Sequence, residues 1–380
     1  MSSHKNAKIK EMKKGFLGLG VIVFGIITSF FILAKTPKNK TPENLYEASF
    51  YQQLEGGKVQ CQLCPNRCIL SPGQRGLCKV RENIGGKLYS LVYGKPVTTA
   101  IDPIEKKPFY HFLPGAKAYS LATAGCNLAC KYCQNWDIAQ RFPENVAFTP
   151  MTPQQVVEEA LKSNAQVIAF TYNEPIVWYE YMRDIAKLAK EKGLRTVMVS
   201  NGYLNLQPLK ELLPFMDAVK VDLKSFNEET YLQLTSGKLE PVLETIKTVW
   251  QNKTWLEIVW LVVPGYTDNL EEIKQMCLWL KENTSEDVPV HFSRFWPKYK
   301  LTNLPPTPQQ TIKKARQVCQ QAGMKYVYTG NIEDEEGSTT FCPTNHQPLI
   351  KRIGYFIKEN LVDTNGKSSN CPETIPGVWK

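Results

Sequence analysis

The sequence predicts an α/β protein. It reads as a partial or complete (β/α) barrel, preceded by a transmembrane helix and a small cysteine-rich module. Three observations carry the barrel. Short apolar runs alternate with helical stretches from Ala118 to Thr329. The runs are continuous rather than alternating, as in Val167–Phe170 and Ile258–Val263. Polar clusters stand just past the ends of several runs. Regular alternation implies a parallel sheet with helical crossovers, and continuous apolar strands imply cover on both faces. In barrels of this kind the chemistry gathers beyond the C-terminal ends of the strands.

The elements follow in order. Residues 1–14 are a basic N-terminus with Lys5, Lys8, Lys10, Lys13 and Lys14. Residues 15–34 carry no charge, and residues 35–57 form a polar linker. A stretch of about 20 apolar residues is long enough to cross a bilayer as a helix. It exceeds the apolar region of a signal peptide and lacks an A-x-A cleavage site. Residues 58–117 form the cysteine-rich module, whose second half is loop-rich and basic. The barrel spans 118–330. Its expected strands are 119–123, 166–171, 195–200, 218–223, 256–263, 289–294 and 326–329. Its expected helices are 152–164, 175–192, 206–213, 227–234, 240–251, 270–282 and 307–322. Thr152 and Pro153 supply an N-cap and first-turn pair for the first helix, and Gly193 ends the second. Residues 331–380 are a C-terminal extension.

Composition is that of a globular protein, with 43% hydrophobic and 22% charged residues in a 380-residue chain. The formal charge of +10 is partly local to the lysines flanking residues 15–34. The body has no basic run with interleaved aromatics, so no nucleic-acid partner is expected.

Seven of the eleven cysteines lie in two tight clusters. Such spacing suits metal binding in a reducing compartment better than a disulfide framework. Cys277 and Cys319 fall on predicted helices and read as ordinary buried residues. Cys61, Cys64, Cys68 and Cys78 are spaced C-x2-C-x3-C-x9-C, and four thiolates can close a site for zinc or for an iron–sulfur cluster. Cys126, Cys130 and Cys133 are spaced C-x3-C-x2-C, one short of the usual four cluster ligands. An incomplete ligand set leaves a position at which a substrate can bind. Asp102–Pro108 is too charged for core and is expected to cover the barrel mouth or to meet a partner. His111 and His291 are candidate catalytic residues, with a hydrogen-bonded core role as the alternative for His291.

C-x3-C-x2-C after the first barrel strand, with Tyr132 before the last cysteine, resembles the radical S-adenosylmethionine superfamily. Within it the chain is similar to the AmmeMemoRadiSam system radical SAM enzymes, relatives of pyruvate formate-lyase activating enzymes. The resemblance rests on Cys61–Cys68, Gly76–Cys78, Asp102–Pro108, Phe112–Gly115, the cysteine loop through Asn135, Tyr172–Pro175, Ser200–Tyr203 and Pro376–Trp379, and covers about residues 58–380. It implies a [4Fe–4S] cluster on Cys126, Cys130 and Cys133 whose fourth iron takes S-adenosylmethionine. Reductive cleavage then yields a 5′-deoxyadenosyl radical that abstracts a hydrogen atom. Glu174 would meet the cofactor's ammonium, Ser200 and Asn201 its ribose, and Asp222 and Lys224 its methionyl end. Val199 stands where the activases have an Asp, so their monovalent cation site is not implied. Where the family has a C-terminal ribbon of two CxxC pairs, Asn345 replaces one cysteine and Ser368 another. Cys342, His346 and Cys371 therefore read as a degenerate zinc ribbon.

The expected partners are an electron donor such as flavodoxin or ferredoxin, a possible protein substrate, and the membrane through residues 15–34. The lysine balance favours an outside body, whereas cluster chemistry fed by intracellular donors favours a cytoplasmic one, and the chemistry takes precedence. Two other functions stay open: a glycyl-radical-enzyme activase, and a non-enzymatic membrane-anchored metal scaffold.

Overall fold

The structure is a computed structural model that describes residues 45–380. Seven parallel strands form its centre: β2 (Lys117–Ala122), β3 (Val167–Phe170), β4 (Arg195–Ser200), β5 (Ala218–Leu223), β6 (Trp255–Val262), β7 (Val290–Arg294) and β8 (Val327–Gly330). Their spatial order follows the chain order, so each crossover moves one place along the sheet. An eighth strand, β1 (Thr98–Pro103), pairs antiparallel with β2 and edges the sheet. The arrangement is an open barrel, as β1 and β8 are not paired with each other.

Helices α1 (Pro153–Lys162), α2 (Tyr179–Glu191), α3 (Leu206–Leu212), α4 (Glu228–Thr235), α5 (Glu240–Gln251), α6 (Leu270–Asn283) and α7 (Gln309–Gln321) fill the crossovers. α1 starts as its sequence suggests. Thr152 accepts from the Gln155 amide while Gln155 bonds back to the Thr152 amide, with Pro153 in the first turn. The strands have two buried faces. Leu121, Ile168, Phe170, Met198, Val219 and Val221 pack outward with helical residues such as Val156, Ile185 and Ile246. Ala118, Val167, Ala169, Val197 and Ala218 pack inward with Ile104, Phe109 and Phe112. Burial on both faces is why the strands read as unbroken apolar runs.

The segment after β1 departs from expectation. Asp102, Glu105 and Lys107 are buried, and the segment fills the N-terminal end of the barrel rather than covering the mouth. Charge is tolerated because it is paired: Lys107 Nζ lies 2.5 Å and Lys106 Nζ 2.8 Å from the Asp102 carboxylate, and the Tyr172 hydroxyl donates to it. Val378 bridges to Phe112 and closes the same end.

His111 and His291 belong to this plug. Glu257 accepts from the Tyr110 and His111 amides at 3.0 and 2.9 Å and pairs with His291 Nε2 at 2.6 Å. His111 bonds to the Tyr328 hydroxyl and the Pro376 carbonyl. Burial pushes His111 down to about 4 and His291 also downward, so both rings favour the neutral form. These histidines order the closed end of the barrel and stand away from the cysteine loop.

Residues 46–90 contain two small antiparallel sheets, one formed by Tyr51–Gln53, Val59–Cys61 and Ile69–Leu70, the other by Tyr46–Glu47, Arg81–Ile84 and Lys87–Ser90, so each takes one strand from the expected linker. The C-terminal extension is a three-stranded antiparallel ribbon of Thr340–Phe341, Pro348–Ile353 and Phe356–Asn360. Cys342 and Cys371 form a disulfide there, which removes both thiols from any metal set that includes His346. Cys277 on α6 and Cys319 on α7 are likewise joined, so they are not the unpaired buried residues expected.

The transmembrane helix is a further correction. Residues 15–34 lie outside the described residues, and no helix among the described residues is long and apolar enough to cross a membrane. A spanning helix needs about 20 apolar residues, and α6, the longest described helix, has 14 residues with charges among them. The anchor, the membrane partner and the membrane localisation are withdrawn together.

Two stability predictions follow from the buried charges. Removing Glu257 strands His291 and two amides, so Glu257→Leu should lower the unfolding free energy by about 3–5 kcal/mol, read from denaturant midpoints. Glu105 is buried with Oε2 unpartnered, and burial pushes its carboxyl from 4.5 up to about 7 against the opposing Arg352 charge and Gly115 amide. Between those values the folded state holds the extra proton, so stability should fall as pH rises from about 4.5 to 7. The loss should be on the order of 3 kcal/mol, and Glu105→Gln should flatten that slope in pH-dependent unfolding.

Candidate active site

The loop after β2 carries Cys126, Cys130 and Cys133, all free thiols. It has no strand and one short helical turn, Trp136–Ala139, so its buried polar groups need partners from elsewhere. The Thr235 and Leu234 carbonyls accept from the Ala129 and Lys131 amides, and asparagines tie the loop to the strand ends. Asn173 Nδ2 donates to the Gly125 carbonyl at 2.9 Å, and Asn135 Nδ2 to the Tyr172 carbonyl at 2.7 Å. Asn127 Nδ2 donates to the Tyr203 carbonyl at 2.7 Å and accepts from Asn201 Nδ2 at 2.9 Å. The loop is thereby tied to the ends of β3 and β4.

Gly125 is required where it stands. Its φ is +94°, and an added Cβ would lie 2.6 Å from Val80 and 2.7 Å from the Cys78 carbonyl. Gly202, at φ +70°, similarly lets the β4 end approach Val221 and Val242.

Among the described residues no three His, Cys, Asp or Glu side chains meet as a single metal ion requires. A cluster asks for something different, because each thiolate binds its own iron. The Leu128 amide approaches Cys126 Sγ at 3.5 Å and Asn201 Nδ2 approaches it at 3.9 Å, and both donors favour anionic sulfur. Burial pushes the Cys130 thiol up to about 12, so an unligated site keeps that proton until a metal displaces it.

Glu174 lies past the β3 end and is fully enclosed. Ser200 Oγ and the Asn201 amide each donate to it at 2.8 Å, and the Ile176 amide donates at 3.2 Å. Burial pushes its carboxyl up to about 7 against these three donors. Asp222, at the β5 end, is flanked by Lys220 and by Lys224, whose Nζ is 3.0 Å away. Burial alone would raise Asp222, but the two lysines outweigh it and leave it at about 2. Lys224 faces Cys130 as well as Asp222.

Glu174, Ser200, Asn201, Asp222 and Lys224 therefore gather with the three cysteines at the C-terminal strand ends. Asn127, Asn173, Lys220 and Tyr231 join them unforeseen. Their only signal was position, with asparagine recurring after strand ends and Lys220 alternating with Asp222 in an apolar strand. The buried Tyr231 hydroxyl has no partner among the described residues, and its surroundings include Lys224 and Cys130. An orphaned hydroxyl beside a trio of free thiols fits a site that a bound group completes.

Comparison with known proteins agrees. The family model "Radical SAM superfamily" matches residues 120–280. An uncharacterised protein of Methanocaldococcus jannaschii is 42% identical over 325 residues, covering 86% of this chain and 96% of its own length. The pyruvate formate-lyase 1-activating enzyme of Escherichia coli K12 is 23% identical over 54% of this chain and 89% of its own. A pyruvate formate-lyase-activating enzyme of Clostridium pasteurianum is 27% identical over 40% and 64%. The family implies a [4Fe–4S] cluster and S-adenosylmethionine, and this chain belongs to the radical SAM superfamily as an enzyme homologous to the pyruvate formate-lyase activating enzymes.

Proposed function

We propose that the Cys126 loop carries the cluster at which S-adenosylmethionine is reductively cleaved, and that the resulting radical abstracts hydrogen from a substrate held in the barrel. The observation that carries this is the gathering of three free thiols with a buried carboxylate and an Asp–Lys array at one end of the sheet. Cys126, Cys130 and Cys133 would ligate three irons and leave the fourth open. When bound and reduced, the cluster would supply one electron to the S–C5′ bond of its ligand, which breaks to give a carbon radical.

This chain's residues bind, orient and exclude water. Glu174, fixed by Ser200 and the Asn201 amide, offers a carboxylate to the cofactor's ammonium, a charge-assisted contact inside a dry site. The tight Gly202 turn and Asn201 form the edge against which the ribose would lie. Asp222 is kept ionised between Lys220 and Lys224, and Lys224 balances negative charge near Cys130. Leu128 and Tyr132 are buried around the loop and limit access of water.

A second reading within the same chemistry is activation of a partner protein by abstraction from a backbone glycine. It is supported by the homology to pyruvate formate-lyase activating enzymes over about half of the chain. A flavodoxin- or ferredoxin-type donor would serve either reading.

Anaerobically reconstituted protein with dithionite should convert S-adenosylmethionine to 5′-deoxyadenosine and methionine. Cys130→Ala should reduce the yield to background, and a wild-type yield at background would leave only a non-enzymatic scaffold. Glu174→Gln keeps the shape and removes the charge, so it should weaken S-adenosylmethionine binding roughly tenfold or more, measured by calorimetry on the clustered protein. Unchanged affinity would remove Glu174 from the ammonium contact.

A further inference from the structure

We propose that Cys61, Cys64, Cys68 and Cys78 hold a second iron–sulfur cluster, which passes single electrons to the cluster of the Cys126 loop. The acceptor half of this statement rests on the function proposed above, whereas the identity of the metal does not.

All four thiols are free and line one small cavity of about 20 Å³ together with Arg81 and Asn127. Arg81 Nη1 approaches Cys61 Sγ at 3.8 Å, a donor that favours anionic sulfur. Arg81 adds a buried cation. It pairs with the buried Glu180, and its Nε has no partner among the described residues.

Contact with the cluster loop separates a cluster from zinc, because a redox-inert zinc ion passes no electron.

The two sets are also in direct contact. Asn66, between Cys64 and Cys68, donates through Nδ2 to the Asn127 carbonyl at 2.8 Å, and Asn127 adjoins Cys126. On the other side the Cys78 carbonyl lies against Gly125, the residue before Cys126. A low-potential one-electron donor of the flavodoxin or ferredoxin class would be oxidised by one electron. The second cluster would take that electron and release it to the first, with no bond or proton changed.

The test uses the full chain, purified and reconstituted anaerobically. Wild-type protein should contain about eight irons and negligible zinc. The Cys126→Ala/Cys130→Ala/Cys133→Ala variant should keep about four irons and matching sulfide, and its reduced paramagnetic signal should not respond to S-adenosylmethionine. Cys64→Ser/Cys68→Ser should lose that signal. It should keep a signal that S-adenosylmethionine alters and cleave normally with dithionite, yet lose at least about tenfold in rate with reduced flavodoxin. About four irons and one zinc in the wild type would overturn the metal assignment, even if the variants fail to fold. An unchanged flavodoxin-driven rate in the double variant would overturn the relay. Absent cleavage in a wild type that still holds eight irons would instead count against the function proposed for the Cys126 loop.

Discussion

The site depends on one constraint: a buried loop without regular structure must have its polar backbone satisfied from outside itself. Residues 123–135 meet this by exchanging hydrogen bonds with neighbouring elements: the Thr235 and Leu234 carbonyls accept from the Ala129 and Lys131 amides, and asparagines tie the loop to the strand ends. Asn173 reaches Gly125, Asn127 reaches Tyr203, and Asn201 reaches Asn127. Each bond is modest by itself, about 1 kcal/mol net, but an unmet buried group costs more. The same bonds that stabilise the loop also fix where its thiols stand relative to Glu174 and Asp222. Folding and assembly of the site are therefore one event.

The barrel supports this arrangement from below. Its inner face is apolar where Ile104, Phe109 and Phe112 fill the N-terminal end and becomes charged toward the mouth. Glu257 and His291 terminate the plug, and Lys220, Asp222 and Lys224 continue upward along β5 and past its end. In a water-poor interior such charges persist only in pairs. The alternation of Ala218, Lys220 and Asp222 with apolar residues in β5 places them on one side of the sheet.

Much of this was legible in the sequence because burial on both faces writes long apolar runs. Two barrel strands, 195–200 and 218–223, and one helix, 240–251, have the bounds read from composition and caps. The cysteine spacing and the Tyr172–Pro175 and Ser200–Tyr203 segments marked the mouth for the same reason: polar residues past apolar runs have no packing role. β1 escaped notice because an edge strand paired on one side needs no apolar run, and Asp102 reads as loop until Lys106, Lys107 and Tyr172 are seen around it. The pairing of Cys277 with Cys319 joins positions 42 residues apart and depends on the packing of α6 against α7. A charge-free stretch at residues 15–34 satisfied the length criterion for a spanning helix, yet no described helix has that character.

The central claim is that three thiolates leave one iron free for the cofactor. Electron–nuclear double resonance on the reduced protein, mixed with S-adenosylmethionine labelled with nitrogen-15 in its amino group, tests it most directly. A hyperfine coupling between that nitrogen and the cluster spin, absent from Cys130→Ala, is the predicted result. A reduced cluster of full intensity without nitrogen coupling would contradict the account.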